Sequence, residues 1–460
     1  MARKIASAYP LSLLTNCSLV LAFLTLSSIA SSETLEIDFA KTDGVVGRVA
    51  AGLLVPWGIN PIKPPLSKNS KFVEPLELKW VRHNISHIVK NRERVSNSTR
   101  YIVNLSGGSY PWNKPPPYAN SYFEWLANVE EQVKVAARHN LNVIWDIWNE
   151  PEGAYFVGDD YKIRGKTNGK SLWRDATWQK FYETYKVTFR KIRSLDPDAL
   201  ISGPGIGAGD LTGDEAIKYL ESFKDYAVEH NVVPDFWSLH YPRDKLQEYN
   251  QRFESWNLPQ VRTLVTEYLI PKPSKYPSAI FWTLAYLENS NVYAAIRGNW
   301  GNRGDKWGSL SGLLNYNAKT SEFEKTGAWW AYYYYAALKG KKISNKHGAV
   351  RMLGGVESDT ATFIFGALEY PERGFRYSQL GIIDTLEIVF KNVPYLGYVE
   401  AELIEVPFGG RFKDFRPKSM SLEPVAVVKT LLVIDGVLEL DIKWRKPSSG
   451  WFLRLKQLEK

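Results

Sequence analysis

Ile144-Trp145-Asp146-Ile147-Trp148-Asn149-Glu150-Pro151 is an apolar run that ends abruptly in polar groups and a proline. Bulky apolar residues without helical spacing read as a buried strand. Proline has no N–H to offer a central ladder, so the strand stops before Pro151 and leaves Asn149 and Glu150 at its C-terminal end. Thr263-Leu264-Val265-Thr266-Glu267-Tyr268 repeats the pattern further along, again an apolar strand ending in a glutamate. Polar groups collected at strand C-termini are what a (β/α)₈ barrel displays at its open face.

Working outward, apolar runs at 49–57, 78–82, 101–105, 143–148, 200–203, 236–239, 263–266 and 292–296 make eight candidate strands. Between them, 123–139, 178–195 and 215–229 carry apolar residues at helical spacing. Strand and helix in alternation imply a parallel sheet, and eight repeats imply closure. A last helix around Trp329, Trp330 and Tyr332 to Tyr335 ends the barrel, and aromatics pointing all round a helix read as core. From 341 the texture changes to alternating runs at 361–365, 386–390, 425–434 and 451–455, with an Asp435-Gly436 hairpin signal. The expected fold is therefore an α/β TIM barrel over 43–340 followed by a C-terminal antiparallel β-sandwich over 341–460. A strand at 34–39, within 31–42, is expected to join the sandwich.

Residues 1–30 read as an export signal, with Arg3 and Lys4, an apolar core at 19–26 and Ser28-Ile29-Ala30 for cleavage. That core is too short to span a membrane, and no other segment resembles a span. The single cysteine, Cys17, lies inside the signal-like segment 1–30, which excludes disulfides and thiolate chemistry from the mature chain. The expected location is secreted or periplasmic. Losing Arg3 and Lys4 takes the net charge from +9 to +7. A mildly basic surface or an anionic glycan substrate both fit, whereas nucleic-acid binding has no long basic run behind it. Asn84, Asn97 and Asn104 each open an Asn-x-Ser/Thr sequon, and Asn104 is the least suited because it ends a buried strand.

By position the two glutamates end strands four and seven, which face each other across a barrel mouth. About 5–5.5 Å apart, they would suit a retaining glycosidase, with Glu267 as nucleophile and Glu150 as acid/base. Trp148 is expected to desolvate Glu150 and raise its pKa. The plainer alternatives are a helix-capping acid for Glu150 and a salt-bridged strand end for Glu267. Ser202-Gly203-Pro204-Gly205-Ile206-Gly207 lacks the Gly-Lys-Ser/Thr ending of a phosphate loop and reads as a barrel loop. No histidine pair has metal-ligand spacing, so neither metal nor cofactor is expected. His83 is a candidate site residue, while His87, His139, His230 and His347 read as helix or surface positions. Tyr110, Trp112, Tyr155 and Trp307 would line sugar subsites or pack loops. Arg164, Lys166, Lys170 and Arg174 would meet anionic groups or lie solvated.

Trp148-Asn149-Glu150-Pro151 together with Thr266-Glu267-Tyr268 resembles clan A of the glycoside hydrolases. The stretch 178–195, then Asp196-Pro197 and Ser202-Gly203-Pro204, is similar to family 39, the β-xylosidase and α-L-iduronidase group. The resemblance implies a carbohydrate substrate, Asn149 on the sugar 2-hydroxyl and Arg82 beside the nucleophile. It also implies His240 and Tyr241 on strand six and Trp300 under the sugar. The chain departs from the family pattern in three places. His240 and Tyr241 adjoin instead of being spaced by one, strand two reads Arg82-His83-Asn84 instead of Arg-Phe-His-Gly, and Tyr268-Leu269 replaces Trp-Asn. A transglycosylase and a non-catalytic carbohydrate-binding protein are the rival readings. Sugar identity, exo or endo action and oligomeric state stay open.

Overall fold

The computed structural model describes residues 31–57, 70–106, 116, 121–151, 175–207, 214–240, 245–269, 275–298, 310, 312–317, 319–345, 348–367, 383–408, 423–444, 446 and 448–459. The first nine strands are β1 (Ser31–Asp38), β2 (Gly52–Leu54), β3 (Trp80–His83), β4 (Arg100–Asn104), β5 (Val143–Asp146), β6 (Leu200–Ile206), β7 (Phe236–His240), β8 (Arg262–Tyr268) and β9 (Val292–Arg297). The rest are β10 (Leu314–Asn317), β11 (Glu322–Lys325), β12 (Lys341–Ser344), β13 (Arg351–Val356), β14 (Thr360–Gly366), β15 (Ile383–Lys391), β16 (Gly397–Val406), β17 (Val425–Val433), β18 (Leu438–Lys443) and β19 (Gly450–Gln457). The helices are α1 (Ser70–Val73), α2 (Ile85–Asn91), α3 (Phe123–Arg138), α4 (Asp175–Leu195), α5 (Asp214–Glu229), α6 (Leu246–Ser255), α7 (Pro277–Glu288) and α8 (Gly327–Ala336).

β2 to β9 close into a barrel in chain order, and Gly52 beside Ile296 seals it. Strand side chains alternate in direction, which sorts the barrel into two packed layers. Trp80, Ile102, Ile144, Phe236, Leu264 and Ile296 form the plug inside. Their neighbours Val81, Val103, Trp145, Trp237, Val265 and Ala295 pack outward, in one cluster with Trp125 of α3 and Phe223 of α5. β8 runs on through Glu267, beyond the expected 263–266, while β5 stops at Asp146, short of the expected 148. β2 is cut to three residues because Arg48 and Val55 on either side take positive φ, 49° and 46°.

Helix α7 left no trace in the sequence because every one of its 12 residues is buried. A helix apolar all round has no stripe to detect. It lies where the sandwich docks: Ala367 N–H donates to Ser278 Oγ at 2.9 Å, and Ser278 N–H to the Ser448 carbonyl at 3.3 Å. The aromatics of α8 are core as expected, but two are also tied by their hydroxyls. Tyr332 meets the Tyr268 hydroxyl at 2.5 Å, and Tyr335 donates to the Glu288 carboxylate at 2.5 Å.

Beyond the barrel, one sheet runs β12-β13-β14-β19-β16-β17 and a second runs β1-β15-β18. Phe39, Met352, Phe363, Phe390, Leu440 and Leu453 fill the space between them. β1 lies parallel to β15, unlike its otherwise antiparallel surroundings. A strand arriving from the far end of the chain is under no hairpin constraint. Asp435 and Gly436 form the expected two-residue turn, with φ of 51° and 75° and Ile434 bridged to Val437. The strands it joins, β17 and β18, nevertheless belong to different sheets.

Candidate active site

Arg82, Asp146 and His240 share the inward parity of Trp80, Ile144 and Phe236, and so project into the barrel towards its C-terminal end. Glu267 reaches the same space through an irregularity. The register of β8 slips between Leu239 and His240 on one side and between Val265 and Tyr268 on the other. Such bulges re-aim a side chain, and here Glu267 turns onto Arg82.

Arg82 is the hub, only 1% exposed. Its Nε and Nη2 donate to Asp146 Oδ2 at 3.1 and 2.6 Å. Nη1 donates to Glu267 Oε1 at 2.9 Å, and Nη2 also to Asn149 Oδ1 at 2.7 Å. Burial disfavours the guanidinium charge, but Asp146 and Glu267 outweigh it and raise its pKa above the ordinary arginine value.

His240 links the two glutamates. Its Nδ1 stands 3.3 Å from Glu150 Oε1 and 3.9 Å from Glu267 Oε1. Those spans laid end to end cap the separation of these two oxygens at about 7 Å, so the two carboxylates face one another around the imidazole, within a span that admits the ~5–5.5 Å of a retaining pair. Glu150 keeps 39% of its side chain exposed, whereas Glu267 keeps 11%. One carboxylate is therefore partly exposed while the other is nearly buried.

The backbone around Glu150 is fixed by its neighbours. Its φ is 51°, and its N–H donates to the Gly205 carbonyl at 2.9 Å. Asn149 N–H donates to Ser106 Oγ at 3.1 Å, and that hydroxyl donates in turn to Asn104 Oδ1 at 2.7 Å. The glycine-rich stretch of β6 thus serves to hold the acid. Asn104 and Ser106, two members of a sequon, are an internal brace.

The expected rise in the Glu150 pKa is not found. The His240 imidazole, its Nδ1 3.3 Å away, holds the Glu150 carboxyl below the usual carboxylate range, outweighing burial, which raises it. Trp148 is buried with its ring 5.5 Å from that of Trp125 on α3, in the layer outside the barrel. His83, expected at the sugar site, has outward parity instead. Its Nδ1 accepts the Asn84 N–H at 2.8 Å and its ring stacks on His87 of α2 at 4.3 Å. Tyr268 is likewise turned out of the barrel, donating to the Ala50 carbonyl at 2.8 Å.

Of the residues singled out in the sequence, Arg82, Asn149, Glu150, His240 and Glu267 lie together at the C-terminal end of the barrel. Tyr110, Trp112, Tyr155, Arg164, Lys166, Lys170, Arg174, Tyr241, Trp300, Trp307 and His347 lie outside the described residues. Asp146 was missed, although a lone carboxylate inside an apolar strand is a signal in itself. Among the described residues no group of His, Cys, Asp and Glu is placed to hold a metal, and no helix is long and apolar enough to cross a membrane. A cleft of about 560 Å³, lined by Phe253, Arg262 and Tyr293, lies at the strand N-termini, at the opposite end from the carboxylates.

No family model matches the chain. A curated β-xylosidase of Geobacillus stearothermophilus is 30% identical over 97 residues, 21% of this chain, and the match spans only 15% of that relative's length. Among solved structures, N2152 of Neocallimastix frontalis superposes with a TM-score of 0.71 at 17% identity, covering 93% of this chain and 100% of that one. A monomeric β-xylosidase of Caulobacter crescentus gives 0.62 at 14% identity over 93% and 100% of the two chains. An enzyme of glycoside hydrolase family 39 from Xanthomonas axonopodis gives 0.61 at 16% identity over 95% and 99%. The chain has the fold of these proteins, barrel and sandwich together.

Proposed function

We propose that this chain, with the fold of family 39 glycoside hydrolases, is a secreted retaining glycosidase acting on an oligosaccharide or polysaccharide. The observation that carries the reading is the pairing of Glu150 and Glu267 about one imidazole nitrogen, at the ends of barrel strands four and seven. The exposed partner is fit to trade protons, and the buried one, fixed by Arg82, is fit to attack.

In the first step Glu267 attacks the anomeric carbon while the glycosidic C–O bond breaks. Glu150 gives its proton to the leaving oxygen, and the sugar stays as an ester on Glu267. In the second, Glu150 takes a proton from water, the water oxygen displaces Glu267, and the sugar leaves with its original anomeric configuration. The first step needs Glu150 protonated, against the lowering by His240. A sugar seated between the two breaks that contact and deepens the burial, and both changes favour the proton. Asn149, with its Oδ1 on Arg82, keeps its amide N–H₂ for a substrate hydroxyl.

Export rests on the signal-like residues 1–30, and substrate on the relatives, of which two are β-xylosidases. The test is a panel of aryl glycosides, aryl β-xyloside included, with the product anomer read by NMR at early times. Retained configuration, and loss of turnover in a folded Glu267→Gln variant, are the expected results. An inverted product or an active Glu267→Gln variant refutes the mechanism.

A further inference from the structure

One charged group at the site has no part in the reaction scheme above. Asp146 is completely buried, accepts two hydrogen bonds from Arg82 on one carboxylate oxygen, and accepts Ser202 Oγ at 3.3 Å on the other. We propose that Asp146 is a positioning residue: it clamps one edge of the Arg82 guanidinium so that the opposite edge stays on Glu267 through the whole catalytic cycle. The inference rests on the glycosidase reading, with Glu267 as nucleophile.

A guanidinium is a rigid planar fork, so fixing Nε and Nη2 fixes where Nη1 points. Arg82 faces Asp146 from β5, Glu267 and the Thr266 carbonyl from β8, and Asn149 just past β5, while His240 approaches Glu267 from β7. Of its two carboxylate partners, one changes charge during turnover. Glu267 is an anion before attack, a neutral ester in the intermediate, and an anion again after release. Asp146 takes part in no bond change and keeps its charge throughout. An arginine held by Glu267 alone would lose its ion pair each time the ester forms, and would have to be recaptured for the second step. Held by Asp146 it is already in place to stabilise the departing carboxylate. Ser202 of β6 and the strand itself keep Asp146 fixed, and the same β5 segment delivers Asn149 to the other side of Nη2.

The experiment compares wild type, Asp146→Asn, Asp146→Glu and Glu267→Gln for kcat and KM on the best aryl glycoside, with folding checked by circular dichroism. A charge clamp predicts that kcat falls roughly 10–100-fold in Asp146→Asn with KM nearly unchanged, the scale of losing a group that orients another, and less than the ~100–1,000-fold of losing a stabiliser that itself touches the transition state. Asp146→Glu keeps the charge and is expected between that variant and wild type. A residue that merely fills space gives the reverse order, because asparagine is isosteric and glutamate is too long; that order, or a wild-type kcat in Asp146→Asn, overturns the proposal. If Asp146→Asn fails to fold, Asp146→Glu decides: with the charge kept, a kcat within about 10-fold of wild type supports the clamp, and a larger loss, the mark of a residue that only fills space, refutes it. Wild-type protein without activity on the panel, or an active Glu267→Gln variant, sinks the glycosidase reading instead and takes the clamp with it.

Discussion

Gly205→Ala tests whether the β6 turn holds the acid in place. Gly205 has φ of +75°, which an L-residue adopts at about 1–2 kcal/mol. A Cβ there would also stand 2.2 Å from the Trp148 carbonyl oxygen, where real Cβ contacts essentially never fall below 3.0 Å. One backbone must retreat, and the Trp148 carbonyl leads directly into Asn149 and Glu150. Glu150 N–H is itself bonded to the Gly205 carbonyl at 2.9 Å, so the displacement passes to the acid. A shift of ~1 Å at a catalytic group costs on the order of 100-fold in rate. Kcat/KM on an aryl glycoside should fall by that order, and urea unfolding should show a loss of roughly 2–5 kcal/mol from the backbone strain and the overpacking together. Gly397 is the control, with φ of +78° and nothing within 4 Å of a Cβ. Gly397→Ala should lose about 1–2 kcal/mol of stability and no activity. Equal activity in the two variants would refute the coupling between Gly205 and Glu150.

Four further outcomes are expected. His240→Phe removes the main cause that lowers the Glu150 pKa and leaves burial, which raises it, so the alkaline limb of the kcat/KM profile should move to higher pH; a limb that stays or moves down contradicts the assignment. Arg82→Met strands Asp146 and Glu267 without their cation, and denaturant unfolding should register a loss of about 3–5 kcal/mol, as for a broken buried pair. Glu150→Ala should regain turnover with azide on substrates with good leaving groups, giving the glycosyl azide of retained configuration; azide indifference counts against Glu150 as acid/base. Passed through a eukaryotic secretory host, the chain should carry glycan at exposed Asn97 and none at Asn104, whose Oδ1 is engaged by Ser106, as glycopeptide mass spectrometry can read.

The barrel was legible because each buried strand is a short apolar run bounded by polar residues, and the eight runs recur at βα spacing. What escaped was set by packing in three dimensions. Helix α7 is buried on every side and has no polar face to reveal a period. The bulge that turns Glu267 inward follows from how β8 sits against β7 and β9, which no local pattern encodes. Glu150, Asn149, Arg82 and His240 could be named from motifs, since each ends or adjoins a strand. Their electrostatics could not. Trp148, two residues away in sequence, packs towards α3, while His240, remote in sequence, is the largest cause of the lowered Glu150 pKa. His83 shows the same limit: one residue along a strand from Arg82, it faces the opposite way.

The central claim, that Glu267 forms a glycosyl ester, can be tested with a 2-deoxy-2-fluoro glycoside bearing a good leaving group. The fluorine slows both steps and the leaving group rescues the first, so the ester accumulates. Peptide mapping by mass spectrometry should then find the sugar on the peptide carrying Glu267, specifically on that side chain, and none in Glu267→Gln. A label on any other residue, or rapid hydrolysis of good substrates with inversion and no trapped ester, would contradict the account.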